Sequence, residues 1–188
     1  SPPADGGGRT MNSLTLSSGR RLAYAEYGDP GGVPAFYFHG WPSSGIQGVL
    51  MDEAGRELGI RIISPDRPGL GQSDYHPGRK LLDWPPALVE LAAQLGFDKF
   101  HVFGVSGGGP YVLATAHAMP ERLLSANVVC GAPPLALFGT QELFLPYRIV
   151  LLLRRHLNFM MGPVFHAGAR ISLQKPDGIP MRWLLAML

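Results

Sequence analysis

Lys99-Phe100-His101-Val102-Phe103-Gly104-Val105-Ser106-Gly107-Gly108 runs from aromatic and β-branched residues straight into a Gly-x-Ser-x-Gly sequence, with no polar linker between them. The first half predicts a buried strand. Gly109-Pro110-Tyr111-Val112-Leu113-Ala114-Thr115-Ala116-His117-Ala118-Met119 predicts a helix, with Pro110 in the first turn, where a missing N–H is harmless, and Pro120 at its end. A strand that turns this sharply into a helix forces the residue at the corner, Ser106, into a strained backbone conformation. Gly104 and Gly108, two residues to either side, admit neighbouring chain where a Cβ would clash. Ser106 then stands exposed at the tip, in front of the N–H groups and positive dipole end of the helix that follows, a place suited to a developing oxyanion. Glycine and serine are common in loops, so the pattern carries weight through the strand before it and the helix after it.

Outward from this corner the chain alternates. Leu14-Thr15-Leu16-Ser17 and Arg21-Leu22-Ala23-Tyr24-Ala25-Glu26-Tyr27 form a hairpin pattern around Ser18-Gly19-Arg20. Pro34-Ala35-Phe36-Tyr37-Phe38 is a continuous apolar run of the kind buried on both faces, ending in His39-Gly40-Trp41-Pro42. Residues 48–58 predict a helix, and Arg61-Ile62-Ile63-Ser64 another buried strand, followed by the loop Pro65-Asp66-Arg67-Pro68-Gly69-Leu70-Gly71-Gln72-Ser73-Asp74. Residues 81–95 carry a helical stripe of Leu88, Leu91, Ala92 and Leu95, with Asp83 as N-cap and Pro85 in the first turn. Leu123-Leu124-Ser125-Ala126-Asn127-Val128-Val129-Cys130 gives a sixth strand. Strands and helices alternating at this spacing predict an α/β fold with a mostly parallel, doubly wound sheet. Beyond Pro134 the patterning is helical only, broken by Pro146, Gly162-Pro163 and the stretch from Lys175 to Pro180. The expected organisation is a flexible tail over residues 1–12, a core over 13–134 and a helical segment over 135–188.

Composition narrows the class. The chain has 188 residues, enough for one substantial core, with 46% hydrophobic and 16% charged residues and a net charge of +2, so it has neither a disordered composition nor a basic footprint for nucleic acid. Cys130 is the only cysteine. That excludes an intrachain disulfide and fits a reducing, cytoplasmic setting. The longest aliphatic run, Ile149-Val150-Leu151-Leu152-Leu153, is followed by Arg154-Arg155 and falls far short of the roughly 20 apolar residues of a membrane span.

Between residues 14 and 134 these features together resemble the α/β-hydrolase superfamily: a leading hairpin, then His39-Gly40-Trp41-Pro42, Asp66-Arg67-Pro68-Gly69-Leu70-Gly71-Gln72-Ser73 and Gly104-Val105-Ser106-Gly107-Gly108, each after a strand and in that order. The resemblance implies that Ser106 is the nucleophile and that the backbone N–H groups of Trp41 and Gly107 form an oxyanion hole. It implies that His39 and Gly40, with Gly104 and Gly108, support the oxyanion loop and the elbow, and that residues from about 135 onward are a cap over the site. Phe138, Phe144 and Phe159 are the pocket-lining candidates of that segment. Asp66 and Arg67 read as scaffolding that pins their own loop, and Ser73 and Asp74 as turn residues. A serine at the corner favours acyl transfer, whereas a carboxylate there would favour epoxide or haloalkane opening. The leading expectation is hydrolysis of a carboxylic ester or similar acyl substrate, with no cofactor and no metal. An aminopeptidase-like amide hydrolase, or a non-catalytic small-molecule binder on the same scaffold, remains open.

One part is missing. A serine hydrolase of this order needs an acid and then a histidine after the nucleophile. After Ser106 stand Glu121, Glu142 and Asp177, and His117, His156 and His166. Asp177 has no histidine after it, Glu121 follows the far end of the helix, and Glu142, His156 and His166 fall in the helical segment. A sixth strand without a neighbour would also be an open apolar edge. Both deficits lead to the expectation of a heterodimer, in which a second polypeptide, a remainder of one precursor cleaved near Leu188, completes the sheet and supplies the acid and histidine.

Overall fold

The computed structural model describes residues 11–141 and, beyond them, residues 143, 145, 148, 149, 151, 152 and 163. It divides into two units, Ser1–Pro133 and Pro134–Leu188. The described residues of the first unit hold six strands: β1 (Asn12–Thr15), β2 (Arg21–Gly28), β3 (Val33–Phe38), β4 (Ile60–Pro65), β5 (Phe100–Val105) and β6 (Leu123–Val129). They form one sheet in the order β1-β2-β4-β3-β5-β6. The β1/β2 and β2/β4 pairs are antiparallel, and β4/β3, β3/β5 and β5/β6 are parallel. The mostly parallel α/β sheet read from the alternating pattern is therefore present.

Period-two alternation sorts the side chains onto two faces. Phe36 and Phe38 of β3, Phe100 and Val102 of β5 and Ile63 of β4 share one core with Trp84, Leu88 and Leu91 of α2 (Trp84–Gln94) and Val112 of α3 (Gly109–Ala118). Tyr37 and Ile62, their neighbours in sequence, fall into a second core with Ala25 and Tyr27, against which Met51, Phe103 and Val105 pack. Edge-to-face rings lock the first core: Phe36 on Phe100 at 4.8 Å, Phe38 on Trp84 at 5.5 Å and Trp84 on Tyr111 at 5.7 Å between centroids.

Several boundaries differ from the sequence reading. β1 ends at Thr15, because Leu16 and Gly19 close the turn through Leu16 N–H to Arg20 O and Gly19 N–H to Leu16 O, both at 2.8 Å. The helix expected over 48–58 begins earlier, as a 3₁₀ segment Gly45–Met51, before α1 (Asp52–Glu57). The Gly45 N–H is captured by the Asp66 carboxylate at 2.6 Å, which fixes where that segment starts. Asp83 does occupy the N-cap position of α2, yet its carboxylate accepts from the Lys80 N–H at 2.7 Å and closes the preceding 3₁₀ turn instead of capping α2.

In the second unit, α4 (Leu135–Phe138) ends at Gly139, whose φ is +69°. Residues 145, 148, 149, 151, 152 and 163 are also helical. The flexible tail expected over 1–12 and the cap expected over 135–188 otherwise lie largely outside the described residues. None of the described helices is long and apolar enough to cross a membrane.

Candidate active site

Strand register brings three loops together. β3 pairs with β4 as Phe36 with Ile63, and with β5 as Phe38 with Gly104. Carried a few residues past the strand ends, the same registers set Gly40 level with Arg67 on one side and with Ser106 on the other. The chain steps from β3 outward to β4 and then crosses back over β3 to β5, so the carboxyl ends of β3 and β5 flank the switch in strand order. Open α/β sheets hold their ligand sites at such a switch.

Ser106 sits between β5 and α3, at the head of a 3₁₀ turn Ser106–Gly108, with φ +50°. A non-glycine residue in that left-handed region is uncommon and carries about 1–3 kcal/mol of strain. Its own carbonyl helps hold it there, accepting from the Gly109 N–H and from the Ala132 N–H, the latter at 2.9 Å. Gly108 explains the tightness of the corner: a Cβ on it would lie 2.0 Å from the Phe38 carbonyl oxygen, so α3 rests directly on the end of β3. A Cβ on Gly104 would meet the Gly108 backbone at 2.9 Å. Gly40 is less tightly enclosed than these two glycines. A Cβ there would touch the Ser106 Cβ at 3.5 Å, an ordinary contact, although it would occupy the space beside the hydroxyl.

Trp41 and Gly107 face one another. A Cβ built on Gly107 would lie 3.5 Å from the Trp41 backbone nitrogen and 3.4 Å from its Cβ. The two candidate oxyanion donors thus sit on adjoining backbone beside Ser106. The Trp41 side chain is exposed.

His39 lies beneath this loop, fully buried. Its ring is placed by an Nδ1–H donated to the Gly40 carbonyl at 2.9 Å and by Nε2 accepting the Arg67 backbone N–H at 3.3 Å, the tautomer following from the partners. Burial first, and then the Arg67 guanidinium, lower its pKa to about 4, against a smaller raising effect of the Gly40 hydrogen bond. Both nitrogens of this neutral imidazole are thus engaged by backbone groups of the two loops.

The Asp66-Arg67 pair divides its labour in a way the sequence did not disclose. Asp66 does pin its own loop, accepting from the Gln72 N–H at 2.7 Å, and ties it to the Gly45 N–H. Arg67 instead reaches across the site. Its Nη2 donates to the Gly40 carbonyl at 3.0 Å and its Nη1 to the Gly107 carbonyl at 2.9 Å, while the guanidinium lies 4.9 Å over the Tyr111 ring. Burial lowers its pKa from the ordinary value, yet a guanidinium remains a cation at neutral pH. Ser73 accepts from the Ala23 N–H at 2.9 Å and donates to the Asp66 carbonyl at 2.8 Å, and Asp74 accepts from the Arg21 N–H at 2.8 Å, so both anchor the loop to β2.

Gln47 went unread in the sequence. Its Oε1 accepts the Gly40 N–H at 2.9 Å and the Tyr37 hydroxyl at 2.8 Å. Burial pushes the Tyr37 phenol up to about 12, which keeps it a donor. The one signal available was an amide within the otherwise apolar Gly45–Met51 segment.

Among the described residues no histidine is engaged with the Ser106 hydroxyl. His101 on β5 is within 2.8 Å of the Ser125 hydroxyl, His76 lines a small crevice with Pro68 and Trp84, and His117 is near the opposite end of α3. Glu121 precedes β6 where Leu123 pairs with Phe100, the end of the sheet away from Ser106. Phe138 lies on α4 and is exposed. Phe144, Phe159, Glu142, His156, His166 and Asp177 lie outside the described residues.

A family model described as "Alpha/beta hydrolase family" matches residues 35–186. The chain is similar to a non-heme chloroperoxidase of Streptomyces lividans, 26% identical over 93% of this chain and 67% of that protein. It is 30% identical to a proline iminopeptidase of Xylella fastidiosa over 58% of this chain and 36% of that one. Among solved structures, a hypothetical protein of Pseudomonas aeruginosa PAO1 aligns with a TM-score of 0.55 at 29% identity, covering 66% of this chain and 44% of that one. The chain thus spans about two thirds of the chloroperoxidase and under half of the other two. With the family model covering most of its length, and with the strand order and the Ser106 corner in place, the chain belongs to the alpha/beta hydrolase family.

Proposed function

We propose that this hydrolase acts by acyl transfer to Ser106, on a carboxylic ester or a similarly activated acyl substrate. The observation that carries the reading is the left-handed Ser106 at the corner between β5 and α3, with the Trp41 and Gly107 backbone beside it. A base takes the Oγ proton as Oγ attacks the carbonyl carbon. The tetrahedral oxyanion accepts hydrogen bonds from the Trp41 and Gly107 N–H groups, and loss of one such donor typically costs about 2.7–4 kcal/mol. The leaving alcohol departs with the proton, and water then hydrolyses the acyl-serine. The likeness to a proline iminopeptidase supports an amide bond as a second substrate class.

The base and the acid that orients it come, in this reading, from chain outside the described residues. Two observations support it. No described histidine is hydrogen-bonded to the Ser106 hydroxyl. Among the described residues β6 has β5 as its sole neighbour in the sheet, and Leu124, Val128 and Val129 on β6 are exposed. An added parallel strand would satisfy that edge.

Treatment with a fluorophosphonate followed by intact and peptide mass spectrometry tests both parts. The expected result is one adduct on Ser106, none in Ser106→Ala, and, in the intact masses, further chain of roughly 80–120 residues, the size of two βα units with their loops. An adduct on Ser106 in a preparation holding these 188 residues alone would overturn the need for further chain only. Absence of any adduct on Ser106 in a preparation that holds the further chain would overturn acyl transfer itself.

A further inference from the structure

We propose that Arg67 is a positioning residue for this reaction, fixing the Gly40–Trp41 and Gly107–Gly108 peptides against each other and polarising the Trp41 N–H toward the developing oxyanion. The inference rests on the acyl-transfer reading above and adds to it a residue outside the nucleophile, base, acid and oxyanion donors.

The geometry is specific. One guanidinium donates Nη2 to the Gly40 carbonyl at 3.0 Å and Nη1 to the Gly107 carbonyl at 2.9 Å. Those two oxygens belong to the loops that follow β3 and β5, the two loops that meet at Ser106. The Gly40 oxygen also receives the His39 Nδ1–H at 2.9 Å, and the Gly40 N–H is held by Gln47 at 2.9 Å. Gly40 is therefore gripped through both of its backbone polar groups.

The chemistry follows from the amide. The Gly40 carbonyl and the Trp41 N–H are two ends of one resonant unit, so a cationic donor at the oxygen draws electron density through the C–N bond and makes the N–H a stronger donor. In a trans amide, N–H and C=O point in opposite directions. With the buried guanidinium on the oxygen side, the Trp41 N–H is directed away from it, on backbone that adjoins Gly107. Among the described residues the guanidinium meets these carbonyls, the His39 ring and, at 4.9 Å from its centroid, the Tyr111 ring. A buried cation engaged with neutral groups leaves positive potential beside the point where negative charge appears in the transition state. Lysine cannot take its place, because a single ammonium point lacks the planar fork that spans two carbonyls.

The test compares Arg67→Met and Arg67→Lys with the parent, each purified with whatever polypeptide accompanies it. Four quantities are measured: the fluorophosphonate labelling rate at Ser106, kcat and KM on p-nitrophenyl acetate, and the ¹⁵N–¹H amide shift of Trp41. Both variants are expected to lose about 10–100-fold in labelling rate and kcat, less than the loss of a direct donor, with KM changed by less than about threefold. The Trp41 amide proton should move upfield in both. A folded variant that labels at the parental rate would overturn the proposal, as would an unmoved Trp41 amide. Should neither variant fold, the parent itself decides: a Trp41 amide proton downfield of its random-coil position is expected, and one at or upfield of it refutes the polarisation. A parent that shows this downfield amide and takes no label at Ser106 would refute acyl transfer and leave the Arg67 contact standing, so the two failures are distinguishable.

Discussion

Acidification from pH 7.5 to 4 should withdraw the support beneath the Trp41 loop through one imidazole. His39 is fully buried, donates to Gly40, accepts from Arg67, and titrates at about 4 in the folded chain in place of the ordinary 6.5. A lowered pKa means that the unfolded chain binds the proton more tightly. The stabilisation is therefore complete above pH 6.5, declines as the pH falls, and is gone below about 4. A difference of about 2.5 pH units at about 1.36 kcal/mol each amounts to about 3 kcal/mol, a large share of a domain's stability. Protonation would also set a second cation against the Arg67 guanidinium, with no described carboxylate paired to either. The assay is urea denaturation at half-unit pH steps, read by fluorescence of Trp84, which is 2% exposed and reports the core between β3 and α3. His39→Asn, which removes the titrating group, serves as reference. The variant should be less stable at pH 7.5, and the gap between parent and variant should narrow by about 3 kcal/mol as the pH falls from 6.5 to 4. Two stability curves that run parallel across that window would refute the argument.

Two further perturbations probe the same scaffold. Gly108→Ala places a Cβ 2.0 Å from the Phe38 oxygen and 2.7 Å from the Phe38 carbonyl carbon, both backbone, so α3 or the end of β3 must shift. About 3 kcal/mol or more should be lost, visible as a lower Tm, and an unchanged melt would contradict the close approach. Asp66→Ala leaves the Gly45 and Gln72 N–H groups without their acceptor in a site where Asp66 is 1% exposed. It should cost about 2–4 kcal/mol and Asp66→Asn clearly less, and equal effects of the two substitutions would show that hydrogen bonding to the carboxylate is not what matters there.

Much of this architecture was legible in local sequence because its causes are local. Alternation in the stretch from Arg21 to Tyr27, the unbroken run from Ala35 to Phe38 and the glycines around Ser106 each constrain a few consecutive residues. A strand, a buried strand and a sharp corner follow from side-chain period and steric freedom alone. The same locality explains the errors. The start of the Gly45–Met51 segment depends on an Asp66 carboxylate 21 residues away, and the role of Asp83 depends on the turn behind it.

Tertiary structure decided what the loops do to one another. The order β4-β3-β5 and its registers set Gly40 level with both Arg67 and Ser106, and no stretch of consecutive residues encodes that alignment. Arg67 lies 27 residues from Gly40 and 40 from Gly107, and the sequence supported only a contact within its own loop. Gln47 was invisible for the same reason, since an amide's partner is chosen by the fold that surrounds it. Composition and pattern specify where the backbone turns, because propensity acts over a few residues. Which donor meets which acceptor is specified by strand pairing, because hydrogen bonds form only between groups that packing has already brought within about 3 Å.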